Sequence, residues 1–174
     1  TEPVTLGVLG AGTQARWQTR AIAAATDLES VRVYSPSDSK EKCADDLNEE
    51  LGVPTRAVDS PEEAVSGTNV VVTATTATEP VFPGEALDPG TLVVAVGAYT
   101  AEMRELDART IERAGLIVAD VPEEAVTVGD LADAGVTEVP PLSAVFEGEL
   151  GRSSSEEIIV VESVGSAVLD AATA

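Results

Sequence analysis

The sequence predicts an α/β fold in which helices cover both faces of a doubly wound, parallel β-sheet. Short runs rich in valine, leucine and isoleucine alternate along the chain with segments of helical pattern, and such runs are typical of strands buried on both faces. Right-handed crossovers between parallel strands then place helices on both sides of the sheet. We expect a single domain over residues 1–174, because a chain of this length forms one core more readily than two.

Apolar patterns and turn signals predict seven strands and five helices. The strands are expected at residues 4–9, 31–34, 55–58, 69–75, 92–96, 116–119 and 158–162. Four helices are expected at residues 14–25, 38–51, 103–114 and 166–174, and the second ends at the stop signals Gly52 and Pro54. A fifth helix begins after Ser60, which is followed by a proline and, three residues on, by a glutamate.

The composition excludes several classes of function. Acidic residues number 31 against 10 basic ones, and the resulting net charge of −21 disfavours binding to nucleic acid or to an anionic membrane surface. No apolar stretch has the length of a membrane span and no signal-peptide pattern is present, so a cytoplasmic location is expected. The chain has no histidine and one cysteine, Cys43, which we expect to pack in a helix, so no metal site is expected.

The same charge balance is typical of cytoplasmic proteins from salt-accumulating halophiles. Lys40 and Lys42 are the only lysines, and aromatic residues make up 3% of the chain. At molar salt the Debye length is about 3 Å, so like charges on the surface are screened from one another. In dilute buffer the same charges strain the fold. An ordinary acidic protein of a mesophile is the alternative.

The turn Gly10-Ala11-Gly12-Thr13-Gln14-Ala15 is the motif with the clearest chemical meaning. Gly10 permits a tight turn off the first strand, Gly12 leaves room for a pyrophosphate, and Ala15 is small enough for the next helix to pack on the sheet. The start of that helix offers free N–H groups and the positive end of its dipole to phosphate. Because the motif lies between a strand and a helix, it predicts a dinucleotide site of the Rossmann type. A plain structural turn is the alternative.

Two further side chains and one competing class belong with this turn. Gln14 and Arg16 are candidates for phosphate contacts, or they are solvated surface residues. A methyltransferase is the main competing class within the same fold. Its motif usually carries an acidic residue directly before the glycines, where this chain has Leu9.

The residues after the second strand bear on the choice between NAD and NADP. An acidic residue about 20 positions after the turn would bind the adenosine ribose of NAD, but the neutral Ser35 occupies the expected position. Ser37 and Lys40 are candidates to bind the 2′-phosphate of NADP. Asp38 would instead reach the ribose or cap the next helix. The pattern therefore favours NADP weakly over NAD.

Several motifs together resemble the ornithine cyclodeaminase/μ-crystallin family in order and spacing, over nearly the whole chain. They lie at residues 10–16, 72–75, 79–81, 96–97, 103–107, 120, 129–131, 151–153, 163–165 and 170. The resemblance implies a Rossmann domain that binds a nicotinamide dinucleotide, in an enzyme that transfers hydride to or from an imine or amino acid. It also implies that residues after later strands bind the cofactor, namely Thr75, Val96, Gly97, Ser163 and Gly165.

The resemblance further implies that members of this family are longer than this chain. In the family a preceding segment supplies dimer contacts and the lysine and arginine that hold the substrate carboxylate. We expect that substrate and dimerisation domain to be absent here, and full-length members to be homodimers. The chain is then the cofactor domain of an imine or amino-acid oxidoreductase, inactive alone. The alternatives are a non-catalytic or regulatory nucleotide-binding module and a ligand-binding protein that keeps the cofactor for structure.

One position departs from the family pattern. In the cyclodeaminases of this family, a carboxylate two residues after a strand-ending glycine acts on the substrate amine. The equivalent residue here is Tyr99, two positions after Gly97, and a phenol is a poor base at neutral pH. Glu102 is expected to cap the helix at residues 103–114 instead. The catalytic residues therefore stay unknown, ornithine cyclisation is disfavoured, and Tyr99 is otherwise a cover for the apolar end of the sheet.

Overall fold

Seven strands form one parallel sheet within residues 2–165, the part of the chain that the computed structural model describes. The strands are β1 Val4–Leu9, β2 Leu28–Tyr34, β3 Thr55–Ala57, β4 Val70–Thr73, β5 Leu92–Ala95, β6 Ala114–Ala119 and β7 Ile158–Glu162. Their order across the sheet is β3-β2-β1-β4-β5-β7-β6, and every neighbouring pair is parallel. The predicted α/β, doubly wound class is confirmed.

Helices and one 3₁₀ turn connect the strands. They are α1 Thr13–Ala25, α2 Ser39–Leu51, α3 Pro61–Val65, the 3₁₀ turn Gly84–Ala86, α4 Ala108–Arg113, α5 Pro122–Ala125, α6 Gly129–Asp133 and α7 Ser143–Phe146. None of the helices in the described residues combines the length and hydropathy that a membrane span requires. The helix predicted at residues 166–174 lies outside the described residues.

The winding of the sheet reverses between β1 and β4. The chain runs outward from β1 through β2 to β3, and then crosses back to β4 on the other side of β1. Leu6 of β1 is paired with Val31 of β2 on one side and with Val70 of β4 on the other. In open parallel sheets, ligands bind outside the carboxyl ends of the strands at such a reversal point.

Apolar side chains build one core on each face of the sheet. Leu6 and Val8 of β1 belong to one buried cluster and Leu9 belongs to the other, as expected when successive strand residues face opposite sides. Val71 and Val72 of β4 divide in the same way. All five side chains are fully buried, and burying each contributes about 1.5–3 kcal/mol of hydrophobic free energy.

Local signals predicted several helix ends correctly. The backbone N–H of Glu63 donates to the Ser60 hydroxyl at 3.1 Å, so Ser60 caps α3 as expected. α2 ends at Gly52, whose φ of 66° is left-handed. Cys43 is buried within α2, where it was expected to pack.

The helix predicted at residues 103–114 is wrong over its first half, because α4 begins only at Ala108. Asp107 caps α4 by accepting the backbone N–H of Thr110 at 2.7 Å, so the predicted cap at Glu102 is wrong as well. The backbone N–H of Arg104 donates to the carbonyl of Ala77 at 2.9 Å rather than within a helix. This segment therefore follows the end of the sheet as a loop.

Candidate functional site

A cleft of about 910 Å³ opens at the carboxyl ends of the strands, beside the reversal point between β1 and β4. Its walls come from the turn after β1 and from the segments that follow β2, β4, β5 and β7. The described residues that line it include no lysine, arginine, aspartate or glutamate. The described residues also contain no group of acidic or cysteine side chains placed to hold a metal ion. Among the described residues that line it, the cleft is thus a groove without charged side chains across the edge of the sheet.

The turn after β1 forms the middle of this cleft. Gly10 has a left-handed φ of 117°, and a Cβ atom there would collide with the carbonyl oxygen of Ala74. Gly12 is different, because a Cβ built on it meets no atom within 4 Å. Ala15 is fully buried beneath the turn and belongs to the core. The turn is therefore pressed tightly against the sheet at Gly10 and open to the cleft at Gly12.

The start of α1 supplies the polar groups of this turn. Gly12 occupies the N-cap position and makes no side-chain cap hydrogen bond, and the first N–H groups of any helix lack partners within it. Thr13 and Gln14 line the cleft. Arg16 does not, because its guanidinium is paired with Asp46 at 2.9 Å. An anion at this turn would therefore meet backbone N–H groups and the helix dipole rather than a cationic side chain.

At one end of the cleft, Ser35 lies directly after β2 and lines the wall together with Ser39. Ser37 does not line it, although its hydroxyl lies 2.6 Å from that of Ser39. The Lys40 ammonium donates to the carbonyl of Val58 at 2.8 Å, and it also pairs with Asp59 at 3.3 Å. The interpretation of Lys40 as a phosphate ligand is therefore not supported by its position.

At the other end, the cleft is bounded by the segments after β4, β5 and β7. Its wall there includes Thr75, Val96, Gly97, Ser163 and Gly165. The structure thus brings together residues that are far apart in sequence but follow neighbouring strands of the sheet.

Tyr99 lines the same end of the cleft and is 58% exposed. Its exposure does not fit the alternative that it covers the apolar end of the sheet.

Residues 163–165 are held by Asp120, which follows β6. The Asp120 carboxylate accepts the Ser163 hydroxyl at 2.8 Å and the backbone N–H of Gly165 at 3.0 Å.

Three buried carboxylates lie behind this end of the cleft. Glu105, Asp130 and Glu162 are each no more than 3% exposed. Glu105 accepts the backbone N–H groups of Thr75 at 2.6 Å and Gly97 at 2.7 Å. Asp130 in turn accepts the backbone N–H of Glu105 at 2.8 Å. Sequence reasoning missed this cluster, although a glutamate that ends the apolar run of β7 is a visible signal of a buried acid.

Burial sets the protonation of two of these acids. It raises the pKa of Asp130 to about 6, against the opposing effect of hydrogen bonds from Glu105 and Leu106. It also raises the pKa of Glu162 well above the ordinary value, and the carboxylates of Asp130, Glu105 and Asp120 add to that shift. Within the described residues, one oxygen each of Asp130 and Glu162 has no hydrogen-bond partner.

The fold and the cleft define a domain of the Rossmann nucleotide-binding class. The sequence profile of the ornithine cyclodeaminase/mu-crystallin family matches residues 1–174, and the chain belongs to this family. A Delta(1)-pyrroline-2-carboxylate reductase from Bacillus cereus is 35% identical to it, and the match covers 95% of this chain and 54% of that protein.

Solved structures of similar proteins agree with this family assignment. A Delta(1)-pyrroline-2-carboxylate reductase from Thermococcus litoralis, in complex with NADH and L-proline, has a TM-score of 0.92 and 31% identity over 98% of this chain and 55% of its own. An archaeal alanine dehydrogenase dimer with bound NAD has a TM-score of 0.89 and 31% identity, and the match covers 97% of this chain and 54% of the dehydrogenase chain. The chain therefore spans about half the length of these relatives.

Proposed function

We propose that this chain binds a nicotinamide dinucleotide and is the cofactor half of an oxidoreductase that acts on an imine or amino acid. The observation that carries the proposal is the cleft at the reversal point, with Gly10 pressed against Ala74 and open space over Gly12. A pyrophosphate fits beside Gly12, where the first turn of α1 offers its N–H groups. The relatives solved with NADH and NAD support the choice of cofactor.

The strand order gives the direction in which the dinucleotide lies. With the pyrophosphate on the turn after β1, the adenosine half extends over β2 toward Ser35 and Ser39. The nicotinamide half then extends to the other side, over β4 and β5, toward Thr75, Gly97 and Tyr99. When bound, the dinucleotide supplies or accepts the hydride, and the residues of this chain hold it in register with the substrate.

The other half of the full-length protein is proposed to bind the substrate and to form a homodimer. The proline-bound reductase supports a small imine or amino-acid substrate, and the archaeal alanine dehydrogenase is itself a dimer. Without that half, we expect this chain to bind cofactor but not to turn over substrate.

For the adenosine half we propose a weak preference for NADP over NAD. No acidic residue among the described ones lines the cleft near β2, so a 2′-phosphate would meet Ser35 and Ser39 rather than a negative charge. The preference is expected to be less than about tenfold, because Lys40 is held by Val58 and Asp59 and contributes no ionic hydrogen bond of the kind that gives about 1.5–3 kcal/mol.

The test is a fluorescence titration of the chain with NADH and with NADPH, at high salt. Gly12→Val is expected to abolish binding, because its side chain fills the space proposed for the pyrophosphate. Gly151→Val is the matched control, since Gly151 is also open to solvent but lies outside the cleft. A folded wild-type chain that binds neither dinucleotide contradicts the proposal. Tighter binding of NADH than of NADPH contradicts only the argument from Ser35.

Tyr99 leads us to propose that ornithine cyclisation is not the reaction of the full-length protein. The phenol stands where the cyclodeaminases carry a carboxylate, and it donates a hydrogen bond more readily than it removes a proton. With the full-length protein we expect reduction of a cyclic ketimine and no release of ammonia and proline from ornithine. Release of both at an ordinary enzymatic rate would refute this. Tyr99→Asp is the informative variant if ketimine reduction is found.

A further inference from the structure

Glu105 continues the hydrogen bonding between β4 and β5 beyond the point where the strands stop pairing. The last paired residues are Thr73 and Ala95, followed by one bond from the N–H of Val96 to the carbonyl of Thr73. Two residues beyond that last pair, the N–H groups of Thr75 and Gly97 donate instead to the two oxygens of the Glu105 carboxylate, at 2.6 and 2.7 Å. The carboxylate thus holds together two backbone segments that line the cleft.

Neighbouring residues are arranged around this bridge. The Thr73 hydroxyl donates to the same carboxylate at 2.8 Å. A Cβ atom on Gly97 would lie 2.5 Å from Oε1 of Glu105, so the approach requires glycine there. Asp130 fixes the backbone that carries the bridge, because its Oδ1 accepts the N–H of Glu105 at 2.8 Å. The side chain of Glu105 is therefore held from three directions.

A buried carboxylate at this position carries a cost that a neutral side chain would not. Glu105 is 0% exposed, and burying a charged group carries a desolvation cost of several kcal/mol. A glutamine would reduce that cost, but its single oxygen cannot accept hydrogen bonds from both backbone segments and from Thr73. The carboxylate fits the need to hold Thr75 and Gly97 at a fixed spacing.

We infer that Glu105 is a positioning residue for the nicotinamide half of the cleft, because its carboxylate fixes the spacing of Thr75 and Gly97, the two segments between which that half lies. The inference rests on the proposed function, since it takes the nicotinamide half to extend over β4 and β5. Glu105 itself does not line the cleft, so it acts through the backbone of these two residues.

The experiment compares Glu105→Gln with Glu49→Gln, a control that removes the same charge from an exposed position. Two quantities are measured: amide hydrogen exchange at Thr75 and Gly97, and the affinities for NADH and for ADP-ribose, which lacks the nicotinamide. We expect Glu105→Gln to speed hydrogen exchange at these amides by about tenfold and to weaken NADH binding by about tenfold. ADP-ribose affinity should stay at the wild-type value, and Glu49→Gln should change neither quantity.

A milder pair of substitutions at Thr73 keeps the test decisive if Glu105→Gln does not fold. Thr73→Val removes one of the three hydrogen bonds while preserving the shape of the side chain, and Thr73→Ser retains the hydroxyl. We expect Thr73→Val to weaken NADH binding by about threefold relative to Thr73→Ser. Equal affinities for NADH in this pair would overturn the inference.

Other outcomes separate this inference from the proposed function. Loss of NADH and ADP-ribose affinity to the same extent in Glu105→Gln overturns the positioning role, because the effect would then be general. Unchanged NADH affinity overturns it as well. A wild-type chain that binds neither ligand overturns both the proposed function and the cofactor role of Glu105. In that case, faster amide hydrogen exchange confined to Thr75 and Gly97 in Glu105→Gln would still establish the bridge.

Discussion

At the scale of single residues, Asp130 and Glu162 are buried acids that keep their protons to higher pH in the folded protein than in the unfolded chain. The pKa of Asp130 is about 6 because of burial, and the pKa of Glu162 is raised well above its usual value for the same reason. The charged groups that influence Asp130 are Glu105, which opposes its ionisation, and Arg104, which favours it. The folded protein therefore holds protons that the unfolded chain releases near pH 4.

This difference predicts how stability depends on pH. Because the folded state binds more protons than the unfolded state, the free energy of unfolding falls as pH rises from about 4 to about 6 through the pKa of Asp130. Glu162 contributes a fall of the same sign, because burial raises its folded pKa as well. Glu162→Gln removes its share, so we expect it to raise the free energy of unfolding at pH 8.

Denaturant unfolding at pH 5 and pH 8 checks this prediction. The gain from Glu162→Gln should be larger at pH 8 than at pH 5, and Glu49→Gln, an exposed control, should produce no such difference. A variant with the same pH dependence as the wild type would show that Glu162 does not carry the proton.

At the scale of elements, the Asp120 carboxylate connects the end of β6 to the segment after β7. It accepts from the Ser163 hydroxyl and from the N–H groups of Val164 and Gly165, all within 3.1 Å. Asp120→Asn leaves one acceptor oxygen and should lower the free energy of unfolding by about 1–2 kcal/mol. Because residues 163–165 line the cleft, dinucleotide affinity should also fall.

Calorimetry and dinucleotide titration measure these two effects. Asp45→Asn is the control, since Asp45 is an exposed residue of α2. Retention of wild-type affinity and stability in Asp120→Asn would mean that the segment after β7 holds its position without the carboxylate.

The sequence predicted the elements best where apolar residues run continuously. The bounds of β1 and β7 match the prediction at both ends, because each is a buried run between clear turn signals. α5, α6 and α7 were missed, since helices of four or five residues show no helical period.

The cleft was predictable in part. The turn after β1 and Ser35 could be located because their roles depend on local spacing. The bridge at Glu105 could not, because its partners lie 30 and 8 residues away and meet only in the folded sheet. The same bridge draws Glu105 into the sheet end, which is why the helical pattern at residues 103–114 misled the prediction.

At the scale of the whole molecule, the ten lysine and arginine side chains are all engaged, while most acids among the described residues form no ion pair. Seven of the ten form ion pairs. The other three, Arg32, Arg113 and Arg152, donate to backbone carbonyls. With 31 acidic residues in the chain, the excess negative charge is left to solvent and salt.

We therefore predict that salt stabilises this protein strongly. Raising KCl from dilute buffer to molar concentration should increase the melting temperature by about 10 °C, or about 3 kcal/mol for a chain of this size. Sucrose at equal osmolality is the control, because it stabilises folded proteins without screening charge. A melting temperature that responds equally to KCl and sucrose would count against a halophilic origin.

β7 is the last of the seven strands to be synthesised, yet it lies inside the sheet between β5 and β6. Until residues 158–162 leave the ribosome, β6 lacks the strand with which it pairs in the described residues, and β5 presents an open edge of unpaired backbone groups. At about 5–20 residues per second this state lasts for seconds. The nascent chain is therefore exposed to mispairing with other chains at two edges, and insertion of one strand closes both.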